Sequence, residues 1–216
     1  MCFRLLTLLF LASALPLFAD DKAPDISKMP YEVLEKNGTD YFLKNKLDES
    51  WECFQEMLRR QKAKKEPVET EIGVAYYGLG RIAILRKNFS EAIKYFEEAQ
   101  KRLNEGNTNP VVISGLLYYL ATAYYREKQF EKALELENEE IPLTAKIYGK
   151  DSSKFAISLL AHASTLYALN RQKEAIPLAR NAYDIMCRCK GKDDTTAQNI
   201  LKKLSEWENE TVSDKK

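Results

Sequence analysis

The sequence predicts an all-α protein, a right-handed α-solenoid of four helix–turn–helix repeats closed by a C-terminal capping helix. Three observations carry that prediction. Small residues recur on one register: Ser50, Ala92, Ala133 and Ala175 lie 41 or 42 residues apart, and twelve residues before each stand Gly38, Gly80, Ala121 and Ala163. A period between about 20 and 50 residues marks a solenoid, because one such unit cannot bury its apolar face alone. Within the period, "VAYYGLGRIAIL" (74–85) and "GLLYYLATAYY" (115–125) repeat apolar residues at three- and four-residue steps, the spacing of one helix face. Composition agrees, since 8 Gly and 7 Pro in 216 residues are few for a loop-rich β protein, while Ala, Leu, Glu and Lys favour helix.

The elements follow in order along the chain. Residues 1–19 place one basic residue, Arg4, before an apolar run from Leu5 to Leu17, the layout of a secretory signal peptide ending at Ala19. The run is shorter than the ~20 apolar residues that span a bilayer and contains Pro16, so export is expected over an uncleaved membrane anchor. Residues 20–29 read as a short linker. Helix pairs follow near 30–45 and 48–64, 68–86 and 90–105, 110–127 and 130–147, and 153–169 and 172–189, giving repeats of about 30–67, 68–109, 110–151 and 152–192. Asn109-Pro110 reads as a cap with Pro in the first turn, and "GKDSS" (149–153) and "GKDDTT" (191–196) as Gly stops followed by new caps. Pro142, inside a second helix, predicts a kink there. A capping helix within 193–210 and a tail at 211–216 complete the chain.

Where two antiparallel helices cross closely, Gly80 on the first and Ala92 on the second let the backbones approach, and Phe96 fills the space beside them. This pattern resembles the tetratricopeptide repeat family over residues 30–190 and is strongest in the second unit, at Leu79-Gly80, Ala92, Phe96 and Ala99. The 42-residue unit is longer than the usual 34 and is similar to the kinesin light chain type, as are "EAIPL" (174–178) and the loops Gly149-Lys150-Asp151 and Gly191-Lys192-Asp193. The Asn common in the first helix of that type is replaced by Tyr119 and Ala161, and Glu137 and Glu140 depart from the repeat pattern.

Signals for chemistry yield to plainer readings. Gly78-x-Gly80-x-x-Ala83 imitates a dinucleotide-binding turn, but the acidic residue about 20 positions on falls in a helix, and the next repeat lacks the glycines. His162 is the only histidine and is expected to pack; the acid pairs Glu97-Glu98 and Glu139-Glu140 are expected to be solvated helix faces. Neither a nucleophile with its base nor a metal-ligand set is visible, so no enzyme activity, metal or cofactor is expected. Cys53, Cys187 and Cys189 are an odd number after Cys2 is removed, and Cys187 and Cys189 are too close for a relaxed disulfide and lack a second pair for a metal site. Asn37, Asn88 and Asn209 fit the glycosylation pattern, with Asn37 expected on a packed face. Of the 33 Lys and Arg, removal of Arg4 leaves 32 against 32 Asp and Glu, a neutral chain with nothing to steer it to nucleic acid.

The resemblance implies an inner groove lined by the first helix of each repeat. Mapping the second repeat onto the others puts Tyr77, Arg81 and Ile84 on that wall, then Tyr118, Thr122, Tyr125 and Arg126, then Leu160, Ser164 and Tyr167. Tyr and Arg are frequent binding hot spots because they bring large area and a polar handle. Tyr76 and Tyr124 are expected to pack between helices instead. Tetratricopeptide domains that clamp carboxylate tails place Lys and Asn on these helices; here those places hold Glu35, Tyr77, Tyr118 and Leu160, then Thr39, Arg81, Thr122 and Ser164. The expectation is therefore an exported scaffold, in a bacterial periplasm or secreted, that binds a protein or peptide partner for complex assembly. No small-molecule substrate is expected, and association between copies through the repeat ends is open.

Overall fold

The computed structural model describes residues 25–103 and 108–213, with side chains to residue 210. The apolar run at residues 1–19 lies outside the described residues. Those described form nine α-helices and no strand: α1 (Tyr31–Leu43), α2 (Leu47–Lys62), α3 (Glu69–Leu85), α4 (Phe89–Leu103), α5 (Pro110–Arg126), α6 (Phe130–Tyr148), α7 (Ser153–Ala168), α8 (Gln172–Lys190) and α9 (Thr195–Ser213). A short 3-10 turn at Ile26–Lys28 occupies part of the stretch read as linker. Helix α6 is unbroken at Pro142, whose side is exposed.

The ends of the helices have local causes. The Asn109 side chain accepts from the Val111 amide with Pro110 in the first turn, and Ser152 Oγ accepts from the Phe155 amide at 3.2 Å. Each helix pair turns through one left-handed residue, at Asn45, Lys87, Lys128 and Asn170, with φ of 57° to 59°. The following amide reaches back five residues, as in Asn88 to the Ala83 carbonyl and Gln129 to the Tyr124 carbonyl, both at 2.9 Å, which satisfies carbonyls the helix end leaves open. Between pairs, Gly149 and Gly191 stop α6 and α8 with φ of 83° and 91°.

The small residues of the register sit at the helix crossings. A Cβ at Gly80 would lie 2.5 Å from the Phe96 ring, and one at Gly78 would lie 2.6 Å from the Phe54 ring of the preceding repeat. The imitation of a nucleotide-binding turn is thus helix–helix packing. Ser50, on the same register, is fully buried and donates to the Gly38 carbonyl at 2.7 Å. Apolar cores join successive pairs: Leu34, Phe54, Met57 and Leu79 under the first two, then Phe96, Leu103, Leu116 and Leu120. At the C-terminal end, Leu166, Ala175, Leu204 and Trp207 seat α9 on the last pair.

One seam is different. Among the buried residues of α5, α6 and α7 are the polar side chains Ser114, Glu137, Glu140, Thr144, Ser158 and Thr165. On the repeat register Glu137 and Glu140 stand where the second repeat has Phe96 and Ala99. The expectation of a solvated Glu139-Glu140 face is therefore corrected: Glu139 is exposed, but Glu140 is only 4% exposed. Its repeat position turns it inward, and hydroxyls rather than water satisfy it.

Candidate functional site

Helix α1 packs on α3, α3 on α5 and α5 on α7, with no comparable contact among α2, α4, α6 and α8, so the first helices form the inner wall. Two adjoining cavities open along this wall at the polar seam. The larger, about 420 Å³, lies among α3, α5, α6 and α7; Tyr77, Arg81, Tyr118, Tyr148 and Lys154 line its sides. The smaller, about 230 Å³, lies among α5, α6, α7 and α9, with Thr122, Tyr125, Arg126, Leu160, Ser164 and Lys203 around it. Tyr118 and Ile157 belong to both and divide one groove into two chambers.

The floor of the larger cavity is built on Glu140. Ser158 Oγ donates to Glu140 Oε1 at 3.0 Å and Ser114 Oγ at 3.3 Å, and Thr144 Oγ1 donates to the same oxygen. Burial pushes the Glu140 pKa above the ordinary carboxylate value, the three hydroxyls pull it back down, and the nearby Glu137 charge adds to the rise. Glu137 accepts from Thr165 Oγ1 at 2.7 Å on one oxygen, while its other lies 3.4 Å from His162 Nδ1. His162 thus packs beside a buried carboxylate, and neither its Nδ1 nor that Glu137 oxygen has a hydrogen-bond partner.

The walls are aromatic. Tyr77 packs against Phe96 and Tyr119, and its hydroxyl fills the space that the absent side chain of Gly115 leaves on α5. Burial pushes the Tyr77 phenol up to about 12 and raises that of Tyr118. The Arg81 guanidinium lies 3.9 Å from the Phe42 ring centroid, with Tyr77 and Tyr119 at 5.5 Å and 5.7 Å. Its Nε is buried without a hydrogen-bond partner.

Eight of the ten residues mapped from sequence line these cavities: Tyr77, Arg81, Tyr118, Thr122, Tyr125, Arg126, Leu160 and Ser164. Ile84 does not; it packs against the core around Phe96. Tyr167 does not either, because it stacks on Trp207 of α9 with centroids 4.2 Å apart and planes 10° off parallel. Tyr124, expected to pack, is 7% exposed and donates to Glu97 at 2.6 Å, and Tyr76 stacks on Tyr95. Sequence reasoning missed Glu140, Glu137, Tyr148, Lys154 and Lys203. The first two were signalled by their place on the repeat register, whereas Lys203 sits on the cap outside the repeat and carried no signal.

Other reactive groups lie apart. Cys53 is fully buried on α2 and burial pushes its thiol up to about 11, while Cys187 and Cys189 on α8 are free thiols. Among the described residues no three His, Cys, Asp or Glu side chains are grouped to hold a metal, and no helix is long and apolar enough to cross a membrane.

Comparison with known proteins fits this architecture. Residues 73–148 match the family model of the prolyl 4-hydroxylase peptide-substrate-binding domain. A curated relative, the clustered mitochondria protein homolog of Candida albicans, is 28% identical over 121 residues, 55% of this chain but only 9% of that protein's length. Among solved structures, apo RapI superposes with a TM-score of 0.69 at 14% identity, covering 86% of this chain and 65% of that one. The nearly identical repeats of a kinesin light chain-like protein from Podosopora anserina superpose with a TM-score of 0.62 at 15% identity, covering 87% and 98%. At such identities the structures establish the fold.

Proposed function

The chain is a tetratricopeptide-repeat solenoid, and on that premise we propose that it is an exported, non-catalytic scaffold holding an extended peptide segment of a partner protein in its inner groove. The observation that carries this reading is the pair of adjoining cavities lined by tyrosines from α3 and α5 and divided by Tyr118. A preformed aromatic groove leaves an extended ligand to bear most of the ordering cost, and side chains that alternate along the peptide can enter successive chambers. The family model matching residues 73–148 describes a domain that binds the peptide substrate of prolyl 4-hydroxylase, which supports a peptide as the ligand class. Glu140 and Glu137 each accept hydrogen bonds from neighbouring hydroxyls, an arrangement suited to shaping a floor.

A library of displayed decapeptides panned on the protein beginning at Asp20 tests the reading. Peptides should be enriched on the wild type, and Tyr118→Ala, checked by circular dichroism, should weaken them by about thirtyfold, the effect of losing one hot-spot aromatic. Equal binding by both proteins, or no enrichment, overturns the groove. Mass spectrometry of the mature N-terminus tests export separately: a chain beginning near Asp20 supports it, and a retained Met1 favours a membrane-tethered subunit.

A further inference from the structure

Among the described residues, the arginines without a carboxylate within 4.0 Å are the two that line the groove. Of nine described arginines, Arg59, Arg60, Arg86, Arg102, Arg171, Arg180 and Arg188 each lie within 4.0 Å of a carboxylate. The two that do not, Arg81 and Arg126, line the larger and the smaller cavity. Arg126 is joined at the smaller cavity by Lys203, which reaches over from α9. The Lys203 ammonium rests on Ser164 Oγ at 3.0 Å and lies 5.3 Å from the Trp207 ring centroid. Its pKa is lowered by burial and then by the positive charge of Arg126, with Glu206 acting weakly the other way. The one carboxylate lining this cavity, Glu137, accepts from Thr165 Oγ1 on one oxygen, and its other oxygen lies 3.4 Å from His162 Nδ1 without a hydrogen-bond partner. Two cations therefore face one chamber, and among the described residues neither has a carboxylate within 4.0 Å, an arrangement that a ligand anion between them would stabilise.

We propose that the smaller cavity is an anion subsite in which a carboxylate of the bound peptide sits between Arg126 and Lys203, so that the groove selects an acidic partner segment. Placement of one of the two cations on the capping helix distinguishes this site from a clamp built on repeat positions alone. The proposal rests on the groove reading above, and its test separates the two. Peptides selected on the wild type are measured by fluorescence polarisation against wild type, Lys203→Gln and Lys203→Arg, all confirmed folded by circular dichroism. Each peptide is also made with its acidic residues changed to Asn or Gln, and with an amidated C-terminus. The selected peptides should be rich in Asp and Glu. Neutralising the critical acid should weaken binding to wild type by at least about tenfold, yet alter binding to Lys203→Gln by less than about threefold, while Lys203→Arg keeps the preference. A loss reproduced by amidation assigns the anion to a peptide terminus, and a loss confined to the side-chain change assigns it to an internal acid; either supports the subsite. Selected peptides without an acid requirement, or an equal loss toward Lys203→Gln, overturn the subsite and leave the groove standing. A library that yields no binder overturns both.

Discussion

Glu140 sits at a position where the other repeats bury an apolar residue, Met57, Ala99 or Ala182, and its surroundings show how the fold accommodates a charge there. A carboxylate taken from water is costly unless hydrogen-bonded, and Ser114, Thr144 and Ser158, from α5, α6 and α7, all converge on one of its oxygens. Desolvation still dominates, leaving the folded-state pKa above the ordinary value of 4.5. Between those two pKa values the folded chain holds a proton that the unfolded chain has released. The contribution of Glu140 to stability is therefore fully present below about pH 4.5 and is lost as pH rises through its folded-state pKa. Urea denaturation of wild type and Glu140→Gln across pH 4 to about 8 checks this. The variant should gain on the wild type as pH rises; parallel curves would mean that the burial of Glu140 has no such effect.

At the scale of helices, packing is decided by where side chains are missing. Replacing Gly by Ala inside a helix ordinarily stabilises it by about 1 kcal/mol. Gly80→Ala should do the reverse, costing about 1–3 kcal/mol, because the new methyl would meet the fully buried Phe96 ring at 2.5 Å. Adding Phe96→Leu should cost less in the Gly80→Ala background than alone, and thermal denaturation of the double-mutant cycle reads that coupling; strict additivity would deny the contact. These crossings were legible in the sequence because Gly80, Ala92 and their counterparts repeat on one register. So were the inner-wall positions Tyr77 and Tyr118, which that register places on equivalent turns of α3 and α5. The left-handed turns at Lys87 and Lys128 were not, since Lys gives no sign of positive φ and only the regular spacing betrays it. Tyr167 was read by the same register, but the last repeat has no fifth first helix beside it. Trp207 of the cap takes that place and stacks on the ring. Lys203 was missed for the same reason: the cap contributes to the groove outside the period that made the groove readable.

Across the whole molecule, each helix packs chiefly on its neighbours in sequence, so stability should behave as a sum of repeat and interface contributions rather than as one indivisible core. The capping helix then matters most for what lies next to it. Trp207 is 8% exposed and, with Leu204, joins the apolar cluster of Leu166, Ala175 and Ala179. Trp207→Ala should remove about 3–5 kcal/mol from that interface, and the loss should be felt locally. Native-state hydrogen exchange should show reduced protection in α7, α8 and α9, with α3 and α4 close to wild type. Because Lys203 leaves with the cap, the variant should lose the acid preference of the smaller cavity. The larger cavity, built on Tyr77, Arg81 and the Glu140 floor, does not depend on α9 and should retain peptide contact. Protection lost equally in all helices would show a chain that unfolds as one unit, and an acid preference surviving the loss of the cap would place the anion contact elsewhere in the groove.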